Sequence, residues 1–436
     1  MWRSGSASAA PALTAVVGVS VVAAAGTALA RRFISSGSSQ RLATLTRRQP
    51  ALVGDALAAV ETPCLVVDLD AMERNLVALP RSLRDVAPRV AIRPHAKAHK
   101  CAEIGRLQLQ HSQAMGLCCQ KVAEAEAMFA GGATDLLLSN ELFGTARYER
   151  MAALAKAGGT ITLLFDHAET VQQAAAVATA RGVSFRALVD VNVGQNRCGV
   201  DTVAQALALA QQIAAAPGLE LRGIQAYHGS AQHIRSHADK TAVVRTVAAK
   251  AARVRDAFRA AGLVCDVVTG GGTGTYALEA ASGVFTEVQP GSYLFNDADY
   301  ARNLAADGAP VRDWEQSLFV LTTVMSANAD APRAVVDAGT KAVSLDSGAP
   351  LVFGALDARA LPPLEYQGGG DEHGILVPAA GGAGASAAAP MPVLGTKLLL
   401  TPGHCDPTTN LYDFIVGFRN GAVEHVWEVA ARGPGN

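Results

Sequence analysis

Between residues 90 and 289, short apolar, β-branched runs alternate with longer Ala-rich stretches. The short runs predict strands over 90–92, 114–118, 136–139, 161–165, 186–191, 221–227, 265–269 and 287–289. The stretches between them predict helices, among them 121–130, 145–157, 168–180, 203–215 and 240–260. Gly131, Gly158, Gly182 and Gly262 sit where several of these stretches stop, the position a helix C-cap glycine takes. Eight strands separated by helices over about two hundred residues read as a (β/α)8 TIM-type barrel of the α/β class, with a doubly wound open sheet as the competing arrangement.

After Trp314 the pattern changes to longer β-rich runs at 318–325, 334–337, 397–400 and 414–418, and helix periodicity becomes scarce. The expected division is a leader over 1–54, a barrel over 55–311 and a β-rich C-terminal domain over 312–436. One strand-like run, Cys64-Leu65-Val66-Val67-Asp68, leads into the barrel segment, with its pairing left open. Residues 379–392 are a low-complexity Ala/Gly insertion and read as a flexible surface loop.

In a barrel, chemistry gathers where strands end and loops begin. Those ends carry His95 and Lys97, Gln120, Asn140, Asp166 with His167, Asn196 with Arg197, Tyr227 with His228, the Thr269 to Gly272 turn, and Gln289. A purely structural barrel would mix in more apolar ends. The first end, Arg93-Pro94-His95-Ala96-Lys97-Ala98-His99-Lys100, is densely cationic. If the strand persists, Arg93, His95, Lys97 and His99 share one face. A lysine among cations is expected to have a lowered pKa, which favours the amine that adds to a carbonyl. A solvated basic edge or an anion-binding patch is the alternative.

The seventh end, Thr269-Gly270-Gly271-Gly272-Thr273-Gly274-Thr275-Tyr276, lets backbone N–H groups approach an anion closely. It lacks the Gly-Lys-Ser/Thr of a Walker A loop and holds only a partial dinucleotide pattern. The choice is between a plain flexible turn and a phosphate cradle. A lysine beside a phosphate cradle on a barrel is what pyridoxal phosphate requires. In the second domain, His404-Cys405-Asp406 spaces an imidazole and a carboxylate so that both can face one divalent cation, with Cys405 pointing away. A hydrogen-bonded turn is the alternative. Asp371-Glu372-His373 is a candidate second polar wall of that site.

Composition narrows the class. The 436 residues are half hydrophobic with a formal net charge of -1, which supplies ample core and no reason to expect nucleic acid. Seven cysteines, one pair adjacent, suggest reduced thiols in an intracellular compartment rather than a disulfide framework. No Asp or Glu precedes Asp55, while Arg3, Arg31, Arg32, Arg41, Arg47 and Arg48 do. That leader resembles an organellar transit peptide, for mitochondrion or chloroplast. Its uncharged 10–30 run leaves a membrane anchor, a secretory signal or an untargeted tail as alternatives.

Taken together, the chain resembles the D-threonine aldolases, which stand with D-serine dehydratases and alanine racemases among the fold-type III pyridoxal-phosphate enzymes. The carriers are Thr62-Pro-Cys-Leu-Val-Val-Asp-Leu-Asp, the Arg93 to Lys100 stretch and Asp190-Val-Asn-Val-Gly-Gln-Asn-Arg-Cys-Gly. Ala226-Tyr-His-Gly-Ser, the glycine loop, Gln289-Pro-Gly-Ser-Tyr and Pro402-Gly-His-Cys-Asp complete them. The likeness runs from Thr62 to the C-terminus apart from the Ala/Gly insertion. It implies Lys97 as the covalent anchor of the cofactor and Arg197 near its phenolic oxygen. Gly271, Gly272, Thr273, Gly274 and Thr275, with Tyr276, would hold the phosphate, and Tyr227 would line the ring. Gln289 takes the place where alanine racemases carry an arginine facing the pyridine nitrogen. His233 would lie near the substrate's β-hydroxyl, and it or a metal-bound water beside it would be the general base. His404 and Asp406 would hold Mn²⁺, Mg²⁺, Co²⁺ or Zn²⁺.

The implied reaction cleaves D-threonine and other D-β-hydroxy-α-amino acids to glycine and an aldehyde. A D-serine dehydratase, giving pyruvate and ammonia, is the nearest alternative, but that branch carries His-x-Cys where this chain ends on Asp406. A non-catalytic pyridoxal-phosphate carrier shares the barrel and lacks the β-rich domain. The expected partners are a small D-amino acid and a second copy in a homodimer, with membrane contact only if the leader is retained.

Overall fold

The computed structural model describes residues 48–328, 330–379 and 390–435. The expected leader up to residue 47, with its 10–30 run, and most of the 379–392 insertion lie outside the described residues. From Pro50 onward the chain forms one compact unit. Strand β1 (Cys64–Asp68) runs directly into helix α1 (Leu69–Val86). Eight strands then follow: β2 (Ala91–Ile92), β3 (Leu117–Cys119), β4 (Asp135–Glu141), β5 (Thr160–Phe165), β6 (Phe185–Asp190), β7 (Leu219–Gln225), β8 (Val267–Gly270) and β9 (Glu287–Val288). Between them lie α2 (Ala102–His111), α3 (Val122–Ala130), α4 (Thr145–Lys156), α5 (Ala168–Arg181), α6 (Val203–Ala215), α7 (His237–Ala260) and α8 (Tyr276–Ala281).

The strands pair in parallel in the order β2-β9-β8-β7-β6-β5-β4-β3. A parallel bridge between His95 and Cys118 joins the two ends of that order. The ring therefore closes as a barrel, not as the open sheet that competed with it. Alternate side chains explain the apolar runs. Cys118, Leu137, Leu164 and Leu188 fill the barrel interior, with Val267 against them. Their neighbours Leu136, Leu138, Leu163, Ala187 and Val189 face the surrounding helices. Burying each such leucine contributes about 1.5–3 kcal/mol.

The remaining strands are β10 (Leu318–Asn328), β11 (Arg333–Val336), β12 (Leu351–Ala355), β13 (Leu364–Gly368), β14 (Gly374–Pro378), β15 (Lys397–Thr401), β16 (Phe414–Arg419) and β17 (Ala422–Glu428), with a short helix α9 (Cys405–Thr409) after β15. They build the expected β-rich region. The lead-in strand belongs with them: β1 pairs antiparallel with β10 and parallel with β16. Its residues are apolar on both faces. Leu65 and Val67 enter one core, Cys64 and Val66 another, so β1 needs cover on both sides and finds it in the middle of this second sheet.

Helix α1 returns the chain to the barrel. Leu69, Met72, Leu76, Leu79 and Leu83 form its buried stripe, and the Asp68 carboxylate caps its start by accepting from the Ala71 amide at 3.1 Å. Helices α1 and α2 stand outside the expected set, and Pro80 within α1 masks its helical pattern. Among the described residues no helix is long and apolar enough to cross a membrane. All seven cysteines are free thiols.

Candidate active site

Strand β2 stops at Ile92, and Ala96–Ala98 form a single 3-10 turn. The cationic stretch therefore fans out instead of presenting one face. Arg93 points inward, 4% exposed, and pairs with Glu287 at 2.9 Å and Asp135 at 2.7 Å. His99 is buried against Gln108 at 3.1 Å. Lys100 donates to Asn410 at 2.7 Å and to the Gly433 carbonyl at 3.1 Å. Only His95 and Lys97 reach the cavity at the strand ends.

That cavity, about 390 Å³, is lined also by Gln120, Ser139, Arg197, Gln225, Tyr227, Gln232, His233, Gln289, Ser292, Tyr300 and His404. Strands β2, β3, β4, β6, β7 and β9 and the loops after them deliver these groups from around the ring, except His404, which comes from the segment after β15. Other polar strand ends go elsewhere. The ring of His167 accepts from the Glu169 amide at 3.2 Å at the start of α5, and Asp166 accepts from the Gly199 amide at 3.1 Å.

The charge of Lys97 is opposite to the expectation. Its ammonium forms a direct ion pair with Asp406. Burial by itself would lower the lysine pKa, but the Asp406 carboxylate outweighs it and the pKa rises. The neighbouring cations that would have lowered it are spent or neutral. Arg93 is neutralised by two carboxylates. His95 is pushed down to about 3 by burial and then by Lys97. Its Nδ1 accepts from the Lys97 amide at 3.3 Å, leaving Nε2–H to donate to Ser139 at 3.0 Å. Asp406 is held well below the usual carboxylate range: burial opposes this, and Lys97 and His404 overcome it.

His233 Nδ1 lies 2.5 Å from Asp299 Oδ2, and Asp299 also accepts from Arg235 and, at 2.7 Å, from Arg302. Burial would raise the Asp299 pKa, but Arg235 and His233 keep it below normal. The carboxylate thus stays ionised and fixes the imidazole with Nδ1 protonated and Nε2 open as an acceptor.

His404 is the residue before α9, not part of a strand, and its Nδ1 lies 2.8 Å from Asp346. Cys405 is fully buried and donates its thiol to Asp406 at 3.3 Å. It does turn away from the cavity, but through helical geometry. Asp371, Glu372 and His373 are exposed at the β13–β14 turn and do not wall this site.

In the glycine loop, Gln232, 1% exposed, lies across the cavity side. Its Oε1 accepts from the Gly274 amide at 2.8 Å and its Nε2 donates to Thr275 Oγ1 at 2.8 Å. Thr273 and Thr275 with Tyr276 line a separate cavity of about 230 Å³ behind the loop. The Tyr276 ring is turned out of the site altogether. Its hydroxyl meets Ser82 at 3.0 Å and its ring packs on Trp314, because the residue opens α8 and faces the α1 core.

Two family models match the chain: the alanine racemase N-terminal domain over residues 67–299 and a putative serine dehydratase domain over 317–418. A 3-hydroxy-D-aspartate aldolase from Paracoccus denitrificans strain Pd 1222 is 42% identical, covering 88% of this chain and 96% of that protein. A D-threonine aldolase from an Arthrobacter species is 45% identical over the same shares. The chain belongs to the fold-type III pyridoxal-phosphate enzymes. A solved D-threonine aldolase from Filomicrobium marinum superposes with a TM-score of 0.81 at 40% identity, covering 88% of this chain and 99% of that one.

The residues present fit the cofactor of a fold-type III enzyme. The Gln232 oxygen on the Gly274 amide stands where an anionic oxygen would sit. A Cβ at Gly272 would lie 2.7 Å from that same oxygen, so glycine there lets the Gln232 amide lie against the loop. Arg197 reaches the cavity without an ion-pair partner among the described residues and can meet a second anionic oxygen. The cation pair also fits. His404 offers one nitrogen, and Asp406, ionised, offers carboxylate oxygens now facing Lys97. Sequence reasoning missed Gln232, Asp299 and Gln225. Of these only Asp299 carried a signal, the Asn296-Asp297-Ala298-Asp299 run that follows an apolar stretch.

Proposed function

We propose that this chain is a carbon–carbon lyase that cleaves D-threonine and related D-β-hydroxy-α-amino acids to glycine and an aldehyde. Pyridoxal phosphate would be held at Lys97, Arg197, Tyr227, Gln289 and the Gly271–Thr275 loop amides, and Mn²⁺, Mg²⁺, Co²⁺ or Zn²⁺ by His404 and Asp406. The observation that carries this reading is one cavity lined by Lys97, by His233 with its Asp299 partner, and by His404. The bound cofactor supplies a sink for the electron pair released at Cα, and the cation polarises a hydroxyl oxygen.

The chain's own groups handle the protons. His233 Nε2 takes the proton of the β-hydroxyl, and Asp299 stabilises the imidazolium that results. Arg235 and Arg302 keep Asp299 charged, so the pair does not collapse by proton transfer to the carboxylate. As the Cα–Cβ bond breaks, the hydroxyl carbon becomes the aldehyde carbonyl. Cα then regains a proton to give glycine. Tyr227, whose hydroxyl burial keeps protonated, and Lys97 are the cavity groups able to supply it.

The match to a putative serine dehydratase domain favours a second reading, elimination from D-serine to pyruvate and ammonia. Cys405 argues against it, since its buried Sγ does not line the cavity and donates to Asp406. The test incubates purified holoprotein with D-threonine and with D-serine in parallel and assays acetaldehyde and pyruvate. Acetaldehyde from D-threonine is expected; pyruvate alone would overturn the lyase reading in favour of the dehydratase.

A further inference from the structure

Beneath the cavity runs a chain of buried polar side chains with one direction. Arg93 donates to Glu287 Oε2 at 2.9 Å, and Thr269 Oγ1 lies 2.7 Å from Glu287 Oε1. Gln289 Nε2 lies 2.8 Å from Thr269 Oγ1 and 2.8 Å from Gln225 Oε1. Gln225 Nε2 makes only a long return contact of 3.4 Å to Gln289 Oε1. Arg93, Gln225, Thr269, Glu287 and Gln289 are each under 5% exposed, so water cannot rearrange these bonds.

The direction is forced from the charged end. Glu287 is the ion-pair partner of the Arg93 guanidinium, and a carboxylate only accepts. Thr269 must therefore spend its single hydroxyl proton on Glu287, and its lone pair must accept from Gln289. An amide oxygen in that place would face another acceptor, so the Gln289 side chain has one orientation. Both Nε2 protons are then used, one on Thr269 and one on Gln225. What Gln289 can still offer a ligand in the cavity is the Oε1 lone pair.

We propose that Thr269 is a positioning residue that locks the Gln289 amide as a hydrogen-bond acceptor, so that the cavity floor selects the protonated, N–H form of a bound pyridine nitrogen. The inference rests on the cofactor reading above. The ligand's other polar atoms are anionic oxygens and a carbonyl, which suit the loop amides, Arg197 and Lys97. The ring nitrogen alone can donate, and an acceptor facing it favours its protonated state.

The experiment reconstitutes the full-length protein with ¹⁵N-labelled pyridoxal phosphate and follows the ring nitrogen by NMR against pH, without substrate. In the wild type the nitrogen is protonated near neutral pH. Thr269→Val removes the relay and allows the Gln289 amide to turn. The ring-nitrogen pKa then falls by at least about one unit, a tenfold change in the protonated ratio. Thr269→Ser keeps the hydroxyl and restores the wild-type value. A bare ring nitrogen in the wild type, with Gln225 N–H as its donor, overturns the inference, as does a Thr269→Val titration matching wild type. If the valine variant does not fold, the wild-type titration decides alone. Failure to take up the cofactor at all sinks the cofactor reading instead, so the two failures are distinguishable.

Discussion

Arg93→Met tests whether the innermost member of the cationic stretch serves the fold. The guanidinium is 4% exposed and donates to Glu287 at 2.9 Å and to Asp135 at 2.7 Å. Burial would lower its pKa, but these two carboxylates keep it firmly charged. Truncation affects the two partners unequally. Asp135 is 23% exposed with Arg186 at 3.4 Å, so it is rehydrated at little cost. Glu287, 4% exposed, keeps only the Thr269 hydroxyl. Removing one partner of a buried pair costs about 3–5 kcal/mol. We expect a loss in this range by urea unfolding followed by circular dichroism, with an unchanged m-value. The double variant Arg93→Met/Glu287→Gln removes the stranded charge and is expected to recover about half of the loss. A single variant within about 1 kcal/mol of wild type would refute the reasoning. So would a double variant no better than the single one.

Two further outcomes follow from the buried groups. Glu279, fully buried with Oε2 unpaired, is raised to about 7 by burial, against a smaller downward pull from Thr275. Between about pH 4.5 and 7 the folded state therefore holds a proton that the unfolded chain has released, and stability falls by about 3 kcal/mol as pH rises through that window. Glu279→Gln should flatten this loss in unfolding curves taken from pH 4.5 to 8; parallel profiles for variant and wild type would contradict it. Asp299→Asn keeps the shape but not the charge behind His233. It should lower kcat for D-threonine cleavage by about 10²–10⁴-fold with little change in KM. A drop of less than about threefold would remove His233 from the role of base.

Much of the barrel is legible in the sequence because parallel strands under helices are continuous apolar runs that end in polar residues. Residues 203–215 show the helix limits as well, with Thr202 and Gln205 forming a capping box at the start. What is not legible depends on distant parts of the chain. The run from Cys64 to Asp68 looks like a barrel entry until β10 and β16, far along the chain, are seen to flank it. The same holds for charge. Counting cations around Lys97 predicts a lowered pKa, because Asp406, which reverses the sign, lies about three hundred residues away. Lys97, Arg197, Tyr227, His233, Gln289 and His404 are readable by motif and meet in one cavity. Gln232 and Gln225 are not readable, since a lone glutamine has no pattern until its partners are in place. Tyr276 shows the converse: the motif names it, yet its ring packs into the core beside Trp314.

Carbon–carbon cleavage of a D-configured substrate is tested most directly by quantifying glycine and acetaldehyde together. Purified protein supplied with pyridoxal phosphate and Mn²⁺ is incubated with D-threonine or L-threonine, with and without a chelator. Equal amounts of glycine and acetaldehyde are predicted from D-threonine alone, with loss of both on chelation. Absence of glycine from D-threonine, or equal cleavage of the L-isomer, would contradict the lyase assignment.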